Sequence, residues 1–269
     1  MSNYIHGSEP EEQARLAKLN QLINSRCLSL LEIRGGEHIL DVGSGLGQFT
    51  LAMAAKAGES GMCLGIERDK NQLKISQHNL DDSPRATVEF RQGNAENLEL
   101  RQEEWGTFDL AHARFILEHV QQPESVVEGM ARAVRPGGRV VVADDDHENM
   151  RLHPSPPGFT VLWQAYIRSY DRLGNDPFIG RRLVSMLYKC GLRNIRNNVV
   201  FFGDSADSPT FQAYATNLIG ILVGAKALMI KHALIDEQSF EEGIQNIQQW
   251  AENPASALWY TINWAEGTK

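Results

Sequence analysis

The chain has 269 residues, 42% of them hydrophobic, which suits one full core with a sizeable insertion or at most two domains. The formal net charge is -8, and the absence of a dense Lys/Arg block argues against a dedicated nucleic-acid binder. Cys27, Cys63 and Cys190 are widely spaced, which disfavours a disulfide framework or a zinc site. Together with a polar N-terminus, this cysteine spacing predicts a cytoplasmic protein.

The first half of the chain predicts alternating strands and helices. A capping box at Ser8–Glu11 begins a helix that runs from about Glu9 into the twenties. Five predicted strands follow, "GGEHILDVG", "GMCLGIERD", "ATVEFRQGN", "FDLAHAR" and "RVVVADDD", with three helices between them, "GQFTLAMAAKAG", "KNQLKISQHNL" and "ESVVEGMARAVR". Because most of these strands are apolar on both faces, the pattern predicts a parallel sheet covered by helices on each side.

After Asp146 the pattern changes. "HENMRLHPSPPGF" predicts a proline-rich connection without a strand. The elements predicted beyond it are helices at about 159–173 and 180–192, a strand at "RNIRNNVVFFGD", helices opened by Ser208 and Asp236, and a closing strand at "SALWYTINWAEG". The apolar run Leu218–Ile230 is too short to span a bilayer and contains Lys226, so it predicts a buried helix and no membrane contact.

The glycines after the first strand predict a ligand-binding turn. Gly43, Gly45 and Gly47 allow a tight turn and close backbone approach at the N-terminus of a helix. The dinucleotide fingerprint would place its third glycine at 48, where this chain has Gln48. Asp41, two residues before the first glycine, can accept a hydrogen bond or pair with a cation. This arrangement suits a ligand that carries an ammonium group better than a pyrophosphate.

The stretch Asp41-Val-Gly-Ser-Gly-Leu-Gly resembles the first motif of the class I S-adenosylmethionine-dependent methyltransferases, in particular the small-molecule types 11 and 25. Glu67 then matches the acid that ends the second strand in this family. "GNAENL" (Gly93–Leu98), "FDLAHARFILEHV" and "RAVRPGGRVVVAD" resemble the following motifs, with Asn94 in place of the commoner Asp. The resemblance is strong over residues 37–145, and the order of elements continues to the C-terminus.

The resemblance implies an α/β fold, Rossmann-like and doubly wound, with a mostly parallel seven-stranded sheet, helices on both faces and a helical substrate cover. It implies a single methyltransferase domain over 1–269. Within that domain, the expected parts are an N-terminal helical lid at 1–34, a cofactor-binding core at 35–146 and cover insertions at 147–178 and 205–252.

The resemblance also implies S-adenosylmethionine as the cofactor, with S-adenosylhomocysteine as its product. Glu67 would take both ribose hydroxyls, and the Asn94 side chain with the next backbone N–H would hold the adenine edge. Tyr4 would cover the sulfonium, and Arg15 would turn toward the cofactor's carboxylate. The full set of expected cofactor-binding residues is Tyr4, Arg15, Asp41, Gly43, Ser44, Gly45, Glu67, Arg68, Asn94, Ala95, Glu96 and Arg114.

For several polar residues, the sequence allows two alternative roles. Arg114 either contacts the methionyl part of the cofactor or pairs with an acid. The run Asp144-Asp145-Asp146-His147 has the composition of a Mg²⁺ site, but solvated or helix-capping roles are favoured and no metal is expected. His119 is either a base or, as the favoured reading, a structural hydrogen-bonding histidine.

No catalytic residue can be assigned from the motifs, because in-line methyl transfer needs mainly alignment, and a base only where the acceptor loses a proton. His112, His119, His147 or a pocket tyrosine stay open for that role. The aromatic stripe near 159–170 is either a packing face or pocket lining. The expected substrate residues are His6, His119, Trp163, Tyr166 and Tyr170.

The apolar cover predicts a small, partly apolar acceptor such as a quinone-like or natural-product ring, without a nucleic-acid or membrane partner. The apolar helix near Leu218–Ile230 could also support a homodimer. Two other functions compete with methyl transfer. One is an S-adenosylmethionine-binding module without transferase activity, and the other, which the missing glycine at 48 opposes, is a nicotinamide-dependent oxidoreductase.

Overall fold

The computed structural model describes residues 22–80 and 87–269, so Tyr4, His6 and Arg15 lie outside the described residues. By the contacts within the chain, the protein divides into two compact units. The larger unit contains Ile23–Asp145, Ile179–Val200 and Asn263–Lys269. Among the described residues, the smaller unit contains Leu22, Asp146–Phe178 and Phe201–Ile262, and so includes both segments that the sequence assigns to the cover.

Eight strands and eight helices make up the described chain, apart from short 3₁₀ turns. The strands are β1 (His38–Val42), β2 (Met62–Glu67), β3 (Thr87–Gln92), β4 (Phe108–Arg114), β5 (Val134–Asp145), β6 (Arg151–His153), β7 (Arg193–Phe202) and β8 (Ala257–Thr268). The helices are α1 (Leu22–Leu31), α2 (Gln48–Ala57), α3 (Lys70–His78), α4 (Pro123–Ala133), α5 (Phe159–Asp171), α6 (Leu183–Lys189), α7 (Phe211–Lys231) and α8 (Glu237–Ala251).

The core of the larger unit is a parallel sheet in the order β3-β2-β1-β4-β5, which confirms the predicted fold class. β1 is buried from Ile39 to Val42, because helices cover both faces of a doubly wound sheet. Asp69 begins α3 by accepting hydrogen bonds from the N–H groups of Asn71 and Gln72, at 2.8 and 2.9 Å. Because β1, β2 and β3 are parallel neighbours, their carboxyl ends lie side by side at one edge of the sheet.

Three details of these elements differ from the sequence expectations, while the fold class is confirmed. The proline-rich connection contains a short strand, β6, which pairs antiparallel with the start of β8, from Arg151 opposite Trp259 to His153 opposite Ala257. The sheet therefore has eight strands rather than seven. The helix predicted to run to Arg135 ends at Ala133, because Val134 and Arg135 already belong to the extended strand β5.

Helix α7 begins at Phe211, close to the predicted start at Ser208, and contains the apolar run Leu218–Ile230. It has 21 residues, so it is much longer than the apolar run within it, and it is long and apolar enough to cross a membrane by length and composition. One third of its most apolar window is buried, with Tyr214, Leu218 and Leu222 on the buried face and Val223 51% exposed. The apolar run Leu218–Ile230 itself stays too short to span a bilayer, and only the whole helix reaches that length. Buried helices of globular proteins often have the same length and composition, so this one helix does not by itself indicate a membrane span.

Gly65 provides a test of the packing between β2 and its neighbours. An added Cβ at Gly65 would lie 2.5 Å from Cδ1 of Phe90 and 2.9 Å from Cβ of Ser44. We expect Gly65→Ala to lower the free energy of unfolding by about 1–3 kcal/mol through overpacking, measured by urea denaturation. Gly35→Ala is the matched control, because an added Cβ there meets no atom within 4 Å. Equal urea midpoints for the two variants would contradict the close packing at Gly65.

Candidate functional site

The turn between β1 and α2 depends on three left-handed glycines. Gly43, Gly45 and Gly47 have φ angles of 75°, 55° and 79°, a region that glycine adopts without a steric penalty. The N–H groups of Gly43 and Ser44 both donate to the carbonyl oxygen of Ile66, at 2.8 and 3.0 Å. The turn is thereby tied to β2, and its backbone leads into the N-terminus of α2, which has no side-chain cap.

Two buried polar atoms of this turn fit a ligand. Among residues 22–80 and 87–269, neither Oγ of Ser44 nor Oε1 of Gln48 has a hydrogen-bond partner. Buried polar groups are nearly always paired with protein or solvent, so these atoms have capacity for a polar ligand. Together with the unshielded helix N-terminus, they suit the amino acid part of S-adenosylmethionine.

Asp41 is turned inward in the structure. It is 3% exposed, and its Oδ2 accepts a hydrogen bond from Oγ1 of Thr50 at 2.5 Å. Its Oδ1 lies 2.8 Å from Nδ1 of His112, which is equally buried. The carboxylate therefore joins the end of β1 to α2 and β4. A role for Asp41 toward the cofactor's ammonium group stays a prediction, and His112, an open candidate for a base, is held by Asp41.

Glu67 joins the glycine turn to the start of α3. Its Oε2 accepts a hydrogen bond from the N–H of Gly45 at 2.9 Å, and its Oε1 accepts one from the N–H of Asp69 at 2.7 Å. Burial raises the pKa of this carboxyl, while the backbone hydrogen bonds act in the opposite direction. Each carboxylate oxygen can accept a further hydrogen bond, so Glu67 suits a pair of ligand hydroxyls. Arg68 beside it is exposed.

The polar turn after β3 lies next to Glu67 in the sheet. The N–H of Gly93 donates to the carbonyl oxygen of Glu67 at 3.0 Å. Within the turn, Oδ1 of Asn94 accepts from the N–H of Glu96 at 3.1 Å, and the Glu96 carboxylate accepts from the N–H of Gln122 at 2.8 Å. Asn94 is exposed, and Ala95 and Glu96 are half-buried. The structure thus brings the expected ribose and adenine residues together, and their contacts with the cofactor stay predictions.

Arg114, at the end of β4, lies against α2. Its Nη2 donates to Oδ1 of Asn24 at 2.9 Å, and its guanidinium lies 4.2 Å from the centre of the Phe49 ring. This placement beside the helix that follows the glycine turn keeps its predicted cofactor role open. His119 is also placed by a neighbour, since its Nε2 lies 3.3 Å from Oε1 of Glu118. The histidine side chain is only 10% exposed, which agrees with a structural role.

The acidic side chains at the end of β5 and just after it have different roles. Asp146 caps a 3₁₀ turn by accepting from the N–H of Glu148 at 3.2 Å, which agrees with the capping reading. Asp144 is 1% exposed, so the expectation that it is solvated is wrong. Its carboxylate accepts hydrogen bonds from the N–H groups of Ile116, Leu117 and Asp145. Burial and the nearby Glu118 raise the pKa of Asp144 well above its usual value.

In the smaller unit, the aromatic stripe of α5 surrounds His147. Nδ1 of His147 lies 2.8 Å from Oη of Tyr260, and its carbonyl oxygen accepts from Nε1 of Trp163 at 2.8 Å. The hydroxyls of Tyr166 and Tyr170 lie 3.1 Å apart, and both rings contact the imidazole edge-on. All of these side chains are buried, which agrees with the packing alternative, and their contact with a substrate stays a prediction. Tyr260 had no sequence signal, because only the fold brings β8 to this cluster.

The buried carboxyl of Glu67 makes a prediction about pH. Because its folded pKa lies above the usual 4.5, the folded state binds this proton more tightly, and stability is lost as pH rises from 4.5 through the folded pKa. Glutamine cannot ionise, so the stability of wild type relative to Glu67→Gln should fall between pH 4.5 and 7. A pKa raised by one unit in the folded state corresponds to about 1.4 kcal/mol of stability that is lost as the carboxyl ionises. Urea unfolding of both proteins at pH 4.5, 5.5 and 7 measures the free energy of unfolding of wild type minus that of Glu67→Gln. A value that rises with pH would contradict the prediction.

Known proteins resemble this chain in sequence and fold. Residues 33–162 match a family model described as a methyltransferase domain. The chain is 34% identical to the demethylmenaquinone methyltransferase of Desulfitobacterium hafniense over 190 residues, which cover 64% of this chain and 72% of that protein. It is 30% identical to the demethylmenaquinone methyltransferase of Bacillus subtilis over 193 residues, or 69% of this chain and 76% of that one.

A solved structure agrees with the fold. Phosphoethanolamine N-methyltransferase 2 of Haemonchus contortus, in complex with phosphomonomethylethanolamine and S-adenosylhomocysteine, aligns with a TM-score of 0.58 at 15% identity. The alignment covers 93% of this chain and 52% of that chain. At this identity the match supports the fold alone, whereas the sequence relatives support the enzyme class. The glycine turn, the acid that ends β2 and these relatives together place the chain among the class I S-adenosylmethionine-dependent methyltransferases.

Proposed function

We propose that this enzyme binds S-adenosylmethionine in the larger unit and transfers its methyl group to a small, partly apolar molecule. The observation that carries the cofactor proposal is the position of Glu67. Its carboxylate accepts from the N–H of Gly45 in the glycine turn, and its carbonyl oxygen accepts from the N–H of Gly93 before the Asn94 turn. Glu67 thus connects the glycine turn with the turn that contains Asn94.

The residues at this edge suit the successive parts of the cofactor. The glycine turn, Ser44 and the N-terminus of α2 would hold the methionyl part, for which Ser44 offers a buried hydroxyl without a partner in the described chain. Glu67 would take the ribose hydroxyls, and Asn94 with its neighbouring N–H groups would take the adenine edge. When bound, the cofactor supplies a methyl group on a positively charged sulfur. The protein's own contribution is to orient that group and exclude water from it.

A quinone-like ring is the acceptor that the relatives support. Two relatives described above are named demethylmenaquinone methyltransferases. The smaller unit is rich in aromatic side chains, including the buried Trp163, Tyr166 and Tyr170, which agrees with an acceptor that has an apolar ring. The net charge of -8 supports a small molecule rather than a nucleic acid as the partner. A cytoplasmic location belongs to the same proposal.

Cofactor binding can be measured without knowing the acceptor. We expect wild-type protein to bind S-adenosylhomocysteine in isothermal titration calorimetry. Gly45→Ala should weaken that binding by about tenfold or more, because alanine is strained at a φ of 55° and its Cβ would lie 3.2 Å from Oε1 of Gln72. Gly35→Ala is the control and should bind like wild type. Binding of NADH in place of S-adenosylhomocysteine would refute the proposal.

Methyl transfer is tested with isotope-labelled S-adenosylmethionine. The purified enzyme is incubated with a reduced, ring-demethylated naphthoquinol, with phosphoethanolamine and with single-stranded DNA in separate reactions. We expect the label in the naphthoquinol and not in the DNA. Label in phosphoethanolamine alone would contradict the acceptor class. Tight binding of S-adenosylhomocysteine with no transfer to any acceptor, including a metabolite extract, would favour a binding module without transferase activity.

A further inference from the structure

The turn that follows β4 has a strained backbone. Phe115 has a φ of 55°, in the left-handed region that bulky residues rarely adopt. Its N–H donates to the carbonyl oxygen of Ala143 on β5, at 3.0 Å, and the short 3₁₀ helix Leu117–His119 follows it. Such a conformation persists only where the surrounding structure holds it, and it is found most often at functional sites.

Asp144 supplies the hydrogen bonds that hold this turn. Its Oδ2 accepts from the N–H of Ile116 at 3.1 Å and from the N–H of Leu117 at 2.7 Å. Its Oδ1 accepts from the N–H of Asp145 at 3.1 Å. The side chain is 1% exposed and shares its surroundings with the buried Glu118, whose charge opposes its ionisation. Burying an acid costs free energy, and the three hydrogen bonds that Asp144 accepts from backbone N–H groups offset that cost.

The turn after β4 also packs against the glycine turn between β1 and α2. A Cβ added to Gly43 would lie 2.5 Å from Cγ1 of Ile116, so the isoleucine side chain fills the space directly beside the Gly43 backbone. On its other side, Gly43 donates its N–H to the carbonyl oxygen of Ile66. The first glycine of the loop is therefore held between β2 and Ile116.

We propose that Asp144 is a positioning residue for the methyl donor, because it fixes the turn at 115–117 and through Ile116 holds the glycine loop in its ligand-binding shape. Asp144 does so from the end of β5, through the backbone of the neighbouring turn. The inference rests on the proposed cofactor site and assigns it a determinant outside the glycine, ribose and adenine motifs.

Two variants separately test the hydrogen bonds from the turn to Asp144 and the contact between Ile116 and Gly43. Asp144→Asn keeps the size of the side chain but has one acceptor oxygen, so at least one of the three backbone hydrogen bonds is lost. Ile116→Ala removes the contact with Gly43 and leaves Asp144 intact. We expect each to raise the dissociation constant of S-adenosylhomocysteine about fivefold to twentyfold in calorimetry. Leu110→Ala, in the buried middle of β4, should lower the melting temperature and leave the dissociation constant within about twofold of wild type.

A rescue experiment separates positioning from general stability. Glycine adopts a φ of 55° without strain, so Phe115→Gly no longer needs Asp144 to hold the turn. We expect Asp144→Asn to weaken S-adenosylhomocysteine binding far less in the Phe115→Gly background than in wild type. The difference between the two backgrounds is a coupling that lost stability alone would not produce.

The outcomes are distinguishable. A folded Asp144→Asn protein with wild-type affinity would overturn the inference and leave the proposed function intact. Equal effects of Asp144→Asn in both backgrounds would also overturn it, because the turn would then not be the link. Failure of wild-type protein to bind S-adenosylhomocysteine would refute the proposed function, and with it this inference.

Discussion

The left-handed turn between β1 and α2 is the constraint on which the functional edge of the sheet depends. Three positive φ angles within five residues bring the backbone back over the end of β2, where Ile66 accepts two of its N–H groups. Glu67 then accepts a third from Gly45. Because glycine adopts this backbone without a steric penalty and leaves room for Ile116, Phe90 and Ser76 close beside it, the shape of the glycine turn and its close packing have the same cause.

Three buried carboxylates organise the neighbourhood of this turn, and each is satisfied in a different way. Asp41 is held by the side chains of Thr50 and His112, which ties β1 to α2 and β4. Glu67 is held by two backbone N–H groups and keeps further capacity to accept hydrogen bonds. Asp144 accepts from three backbone N–H groups and stabilises a strained turn. Their partners, more than their charge, distinguish these three carboxylates from one another.

The sequence was most informative where spacing controls conformation. The alternation of strands and helices predicted the parallel sheet, and the glycine spacing predicted the turn and the ligand class of the family. It failed where an element depends on a distant partner. β6 exists because β8 offers a partner to a short segment, which a proline-rich sequence does not reveal.

The sequence by itself determined the sheet, the glycine turn and the order of the cofactor motifs, because these depend on local backbone geometry and periodicity. Only the tertiary structure decided which acids are structural. Asp144 and Asp146 are neighbours in one acidic run, yet one is buried under the turn after β4 and the other caps a 3₁₀ helix. Two partners of Asp144, Ile116 and Leu117, lie far away in the chain, so no local pattern could separate it from Asp146, whose capping partner Glu148 is local.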